Sequence, residues 1–339
     1  MQSESFNKKQ MTTRAKLLYM GLILLGLYAL ILIIAYIKIF AFRSVAVNMD
    51  NMVIFTGLAG AVFGMFITLI VYGYMNSWHI NLPMRKFFAM TAAMLFGYIL
   101  CICVEDFNPY YMPLMFTAFL LISIVDKRDV LMCNIVLNTI VFITVYFEHD
   151  LIDSPYRSLD FVVLLGFGLT MGAILAYYLS GAVTRISFFV RSFILGIINV
   201  ELMYLVSLLW HGFDFASSLL ALSIINFGQI IIAIALQPVF ESLFGLLTNA
   251  KLRELTDHSA PLLKRLIVEA PGTFNHCLSV ASLAEVCAVA IGESALLTKA
   301  CAYYHDIGKL TGPMYFAENQ AAGENPHDYM LPEVSADIL

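Results

Sequence analysis

The sequence predicts an all-α chain: a polytopic membrane helix bundle of one plus seven spans, followed by a helical domain outside the bilayer. Three observations predict it. Hydrophobic residues make up 60% of the 339 positions, charged residues only 13%, and mean hydropathy is +0.83, far from the averages of a soluble domain. Apolar runs suited to a bilayer core about 30 Å thick, roughly 20 helical residues each, recur along the chain as far as residue 240. Charge then returns at helical spacing from residue 241 onward.

The runs lie near 17–42, 52–76, 87–104, 110–125, 130–147, 160–182, 188–210 and 219–240, the fourth and fifth being short. The first is too long, and too poor in a small-residue cleavage site, for a removed signal peptide, so it reads as an anchor following a 1–16 tail. Lys and Arg set the orientation, because short loops rich in them stay in the cytoplasm. Lys8, Lys9, Arg14 and Lys16 precede the first run, Arg85 and Lys86 follow the second, Lys127 and Arg128 the fourth, and Arg185 and Arg191 flank the turn after the sixth. The opposite ends, "EDFNPYY", "FEHDLIDSPYRSLD" and "HGFDF", are acidic or neutral apart from Arg157, with Lys38 and Arg43 near the first outer loop. An even number of crossings in 17–42 and 52–240 leaves 241–339 in the cytoplasm.

Within the runs, polar exceptions are few: Glu201, Asn134, Asn138 and Gln229. Glu201 is read either as a sensing or helix-pairing group or as a carboxylate neutralised inside the bundle; a transport pathway would demand more such groups. The glycines of "TGLAGAVFG" (56–64) are expected to allow close helix packing. The net charge of −5 and pI near 5.8 argue against a nucleic-acid polymer as partner. The six cysteines include no CxxC pair, so neither a disulfide framework nor a zinc ribbon is expected.

Residues 241–270 read as a juxtamembrane helical connector with Leu246, Leu247, Leu252 and Leu255 as a partial apolar stripe. "PGTFNHCLSVASLAEVCAVAIGE" (271–293) then predicts a helix N-capped by Thr273, with Cys277, Val280, Leu283, Ala284, Cys287 and Ile291 inward and His276 on its first turn. A second helix, "SALLTKACAYYHDIGK", turns Leu296, Leu297, Ala300, Cys301 and Tyr304 inward and ends at His305 and Asp306, with Gly308 providing the turn.

Consecutive residues on a helix do not share a face, so His305 and Asp306 make an odd core pair. At a helix end both can point into one cavity, where a carboxylate can bridge two divalent ions and a neutral imidazole supplies a nitrogen that Mn, Fe or Zn accepts. Lys309, three residues on, is placed to meet a phosphate. The bland alternative for His276, a helix-end residue bonded to backbone, stands beside the ligand reading. His149–Asp150 and His327–Asp328 repeat the dipeptide, and His149, in an outer loop, is read as structural.

"EAPGTFNHCLSVASLAE", "GESALLTKACAYYHDIGKL", "FAENQ" and "GENPHD" resemble the seven-transmembrane HD-domain phosphodiesterases of the type that cleaves cyclic di-AMP, specifically from about Pro238 to Leu339 and more loosely across the membrane runs. The resemblance implies that 271–339 is the N-terminal part of a cytoplasmic HD domain, on a chain held in the bacterial inner membrane. It implies two divalent ions, Mn or Fe, and hydrolysis of cyclic di-AMP to linear pApA. His276, His305 and Asp306 would be metal ligands, Asp306 and Lys309 catalytic, and Lys309 on the substrate side; His327, in "NPHD", is read as a structural or substrate-side residue rather than a substitute ligand. Cyclic dinucleotide, lipid bilayer and a second copy of the chain are the implied partners. Two departures bear on this: Arg43–Asn51 stands where the family carries a large extracellular domain, and the family's later ligands have no counterpart before Leu339. The sequence-based expectation is therefore an incomplete site with reduced activity. The alternatives are a catalytically inactive receptor or nucleotide-binding module and a transporter with a regulatory tail.

Overall fold

The computed structural model describes residues 13–152, 158–180, 182, 184–211, 215–320 and 325–338; Lys8, Lys9, Arg157, residues 212–214 of "HGFDF" and residues 323–324 of "GENPHD" lie outside them. The chain is all helical among the described residues and divides into two compact units, 1–246 and 247–339.

The first unit contains α1 (Thr13–Tyr36, continued as wider π turns to Phe42), α2 (Met49–Met75), α3 (Trp78–Asn81), α4 (Met84–Glu105), α5 (Phe116–Leu121), α6 (Lys127–Leu151), α7 (Ser158–Leu179), α8 (Arg185–His211) and α9 (Phe215–Phe244). Eight helices among the described residues are long and apolar enough to cross a membrane, but not the eight of the sequence reading. The eighth is Pro271–Ala290, a helix of the second unit whose Ala, Val and Cys content gives it the lowest hydropathy of the set, 1.3. The predicted run at 110–125, by contrast, is helical only over Pro109–Tyr111 and α5.

That irregular segment still runs the length of the bundle. Glu105, ending α4, bonds to His149 in the last turn of α6, and Tyr98 reaches Thr144 at 3.3 Å, so α4 and α6 are parallel. The chain between them must therefore return from one end to the other. Backbone outside a helix is tolerated at such depth only where protein covers it. Leu114 to Leu121 are all buried, Gln237 Nε2 donates to the Phe119 carbonyl at 3.3 Å, and a Cβ on Gly97 would lie 1.9 Å from Thr117 Oγ1. Glycine at 97 is what admits the segment.

Close packing elsewhere uses Gly168 and Gly172 on α7, where an added Cβ would meet the amides of Asn138 and Asn134 at 3.1 and 2.0 Å. The glycines of 56–64 do not do this: positions 57, 60 and 64 face open space. Lys38 and Arg43, spaced by the π turns of α1, enter an acidic cluster at the end of the bundle that holds Glu105 and Glu148. Lys38 pairs with Glu105 and lies 3.1 Å from Asp106 and Glu148, while Arg43 reaches Glu148 at 2.6 Å and Asp106 at 2.7 Å. His149 is thus no loop residue; it is buried on α6 against Glu105. Glu201, the one carboxylate singled out inside a run, is exposed on the bundle surface.

In the second unit the connector is three separate pieces. α9 ends at Phe244, Gly245 turns with φ +58°, and α10 (Asn249–Thr256) and α11 (Pro261–Glu269) follow, Thr248 capping α10 through the Lys251 amide. α12 (Pro271–Ala290) packs on α13 (Ala295–Tyr304), and short 3₁₀ turns lead to α14 (Pro332–Ile338). Small residues make the α12–α13 contact: Cys277, Ala281 and Ala288 face inward with Ala300, Ala302 and Tyr303. The larger side chains expected inside, Leu283, Ile291, Cys287 and Cys301, are exposed, and the alanines are buried in their place. Leu297 is 40% exposed as well.

Candidate metal centre

α12 begins two residues before the predicted cap, with Pro271 at its first position where the missing N–H costs nothing. Thr273 is therefore inside the first turn and fully buried. His276 follows one turn on, half exposed.

α13 ends at Tyr304, and His305 still has helical backbone (φ −63°, ψ −30°) whereas Asp306 leaves it (φ −108°, ψ 17°). This break lets neighbours that would diverge by about 100° on a continuous helix converge. A 3₁₀ turn over Ile307–Thr311 comes next, in which residues three apart eclipse, so Lys309 stacks on Asp306 with Nζ 2.9 Å from Oδ2. Gly308 needs no left-handed conformation for this; the positive φ falls at Gly292, which closes α12.

Asp306 Oδ2 lies 3.4 Å from His305 Nε2 and 3.9 Å from His276 Nε2, and the two imidazole rings are 5.5 Å apart. The donor atoms of His276, His305 and Asp306 all fall within 4.8 Å of one another. Two ligands on one divalent ion, each about 2.0–2.2 Å from it, stand roughly 3–4 Å apart, so the spacing suits a shared ion. The tautomer supports the fit. A carbonyl only accepts, so His305 Nδ1, 2.8 Å from the Ala302 oxygen, carries the proton, leaving the Nε2 lone pair aimed at the carboxylate. An ion held between His305 Nε2 and Asp306 Oδ2, 3.4 Å apart, would share that oxygen with Lys309 Nζ, 2.9 Å from it. Cys277 Sγ is 3.7 Å from the same ring, and burial pushes its thiol up.

Around these residues runs a second layer that sequence reasoning left without a role. Lys309 Nζ donates to Glu318 Oε1 at 2.7 Å, Thr273 Oγ1 donates to the same oxygen at 2.9 Å, and Asn319 bonds to Thr273. Burial opposes ionisation of Glu318, but the bonds from Lys309 and Thr273 outweigh it and hold its carboxyl below the usual glutamate range. Burial likewise works against Lys309, and the two carboxylates still raise it above an ordinary lysine. Glu318 and Asn319 stand in "FAENQ", whose sequence carries no spacing that marks them as partners of Thr273.

His327 stays apart from the cluster. Its Nε2 donates to the Tyr315 carbonyl at 2.9 Å, leaving Nδ1 to accept from Ser335 Oγ at 2.7 Å, so both ring nitrogens tie the C-terminal turns together. A second acidic group, Glu105, Asp106 and Glu148, also has ligand spacing, but its three carboxylates already pair with Lys38 and Arg43.

Residues 273–337 match the HD domain family, so the C-terminal unit carries a domain of that metal-dependent class. The chain resembles the PgpH-type HD phosphodiesterases. It is 41% identical over 183 residues to cyclic-di-AMP phosphodiesterase PgpH of Listeria monocytogenes, covering 50% of this chain and 26% of that protein. Identity to cyclic-di-AMP phosphodiesterase PgpH of Bacillus subtilis is 36% over 148 residues, 44% of this chain and 21% of the relative. An uncharacterized protein of Synechocystis sp. is 36% identical over 190 residues, 56% of this chain and 21% of its own length. The chain thus spans between a fifth and about a quarter of the length of these relatives. No solved structure matches it significantly.

Proposed function

We propose that the chain is a multi-pass membrane protein of the bacterial inner membrane that hydrolyses cyclic di-AMP to linear pApA at a cytoplasmic HD-type centre. The observation that carries the reading is the convergence of His276, His305 and Asp306, from two helices, on one point within an HD domain. Two divalent ions, Mn or Fe, would be held by these side chains and would supply an activated water and Lewis-acid stabilisation of the phosphodiester. His305 presents Nε2 because Ala302 fixes its tautomer, and Asp306 offers the carboxylate oxygen that both imidazoles face. Lys309 brings an ammonium group to that carboxylate, placed to meet a non-bridging phosphate oxygen. Water oxygen adds to phosphorus, the P–O3′ bond breaks, and a proton reaches the departing 3′ oxygen.

The side chains of His276 and His305 are 49% and 38% exposed, so both can be reached from solvent. The cytoplasmic placement is supported by the bundle: Lys16 meets Ile80 and Arg185 meets Glu241 at the end bearing Arg85, Lys86, Lys127 and Arg128, opposite the Glu105–Glu148 end. The test is cyclic di-AMP turnover by purified full chain in detergent with Mn²⁺ or Fe²⁺. Product pApA, lost in Asp306→Ala, supports the reading; binding without product would instead favour an inactive nucleotide-binding module.

A further inference from the structure

The stretch from Pro313 to Gln320 folds back onto the start of α12 through three independent contacts. Gly272 is the first: a Cβ there would lie 1.8 Å from the Glu318 carbonyl oxygen and 2.5 Å from its carbon, so only glycine lets the two backbones meet. Asn319 is the second. Its Oδ1 accepts the Thr273 amide at 3.0 Å, satisfying an N–H that a helix start leaves without an internal partner, and its Nδ2 donates to Thr273 Oγ1 at 2.8 Å. Glu318 is the third, accepting from Thr273 Oγ1 at 2.9 Å and from Lys309 at 2.7 Å.

These bonds close a circuit from Asp306 through Lys309, Glu318 and Asn319 to Thr273, one helical turn before His276. No side chain on α12 caps its own first turn, because Ala270 stands at the cap position. Asn319 acts as the cap from 46 residues away in sequence. His276 has its place relative to Asp306 only as far as that first turn is fixed.

We propose that Asn319, seconded by Glu318, is a positioning residue for the metal centre: it locks the first turn of α12 and thereby holds His276 at the distance from Asp306 that a shared ion requires. The inference rests on the metal-centre reading above and adds two residues that touch neither ion nor substrate. Removal of such a support lowers metal affinity roughly 10–100-fold in known metal sites.

The experiment uses the full chain in detergent and Mn²⁺ alone as probe, with free Mn²⁺ followed by electron paramagnetic resonance and amide exchange read over residues 271–277. Asn319→Ala is expected to weaken Mn²⁺ binding about tenfold and to speed exchange at the Thr273 amide, with Asn319→Asp, which still accepts that N–H, recovering most of both. In the His276→Ala background Asn319→Ala should add nothing, since its effect passes through the missing imidazole. Equal losses in both backgrounds, or unchanged Mn²⁺ affinity in Asn319→Ala, would overturn the proposal; should the alanine variant not fold, failure of the aspartate variant to bind Mn²⁺ as wild type does decides the same way. Wild type that binds Mn²⁺ without hydrolysing cyclic di-AMP overturns the functional reading alone, whereas wild type that binds none overturns both.

Discussion

Lys309 and a metal at the proposed centre would share a ligand. Its ammonium sits 2.9 Å from the oxygen of Asp306 that faces both imidazoles, so it partly neutralises the charge that a dication would use. Lys309→Met should therefore leave Mn²⁺ affinity unchanged or raised while turnover falls about 10²-fold, the usual scale for losing one charge-stabilising donor. Asp306→Ala should lose both together. Titration of Mn²⁺ beside steady-state turnover separates the two patterns, and parallel losses in both variants would remove Lys309 from its assigned role. The Glu318 carboxyl gives a pH dependence whose sign is fixed by its lowered value. A depressed carboxylate stabilises the fold above its unfolded value near 4.3, and that contribution disappears as pH falls through the lower native value. Thermal melting of wild type should thus drop more steeply below about pH 4.3 than melting of Glu318→Gln, which has no such carboxyl. The meeting of His276, His305 and Asp306 was legible in the sequence because His and Asp at a helix end make no sense as core. Glu318 and Asn319 were not, because a residue that acts through a bond 45 or 46 positions away leaves no periodic trace.

Helix packing in both units turns on residues too small to announce themselves. α7 meets α6 at Gly172, where a side chain would strike the Asn134 amide at 2.0 Å, and α12 meets α13 over Ala281. Overpacking such contacts costs about 1–3 kcal/mol. Gly172→Leu should accordingly lower the melting temperature of the purified chain, whereas Gly60→Leu, at a position with nothing within 4 Å, should leave it nearly unchanged. A larger effect at 60 than at 172 would mean that the packing is assigned to the wrong face. Hydropathy explains why the sequence missed this: it ranks apolar bulk, so Leu283, Cys287 and Ile291 looked like core and the alanines between them did not. The same bias made 110–125 read as a full helix. Every residue there is apolar enough, yet Pro109 and Pro113 remove helical donors, and burial among neighbouring helices lets the irregular backbone persist.

At the scale of the molecule, the ion pairs distinguish two ends of the bundle. Lys38 and Arg43 bind Glu105, Asp106 and Glu148 at one end, while Arg14, Lys16, Arg85, Lys86, Lys127 and Arg128 gather at the other. Alternation of charge along the sequence anticipated this, since basic and acidic loops fall at alternate helix ends and the parallel run of α4 and α6 restores the parity that the broken fourth crossing put at risk. What charge counting did not reveal is that Lys38 is buried, and Arg43 partly buried, against carboxylates whose exposure to lipid would be costly. A topology follows that thiol chemistry can check. Val47, 65% exposed in the link between α1 and α2, replaced by Cys should react with a membrane-impermeant maleimide in intact cells, whereas Cys287 and Cys301, exposed on the C-terminal unit, should react only after the membrane is opened. Labelled peptides identified by mass spectrometry assign each site. Modification of Cys287 or Cys301 in sealed cells would put the HD domain on the outer side, away from any cytoplasmic dinucleotide, and the phosphodiesterase reading would fall with the topology.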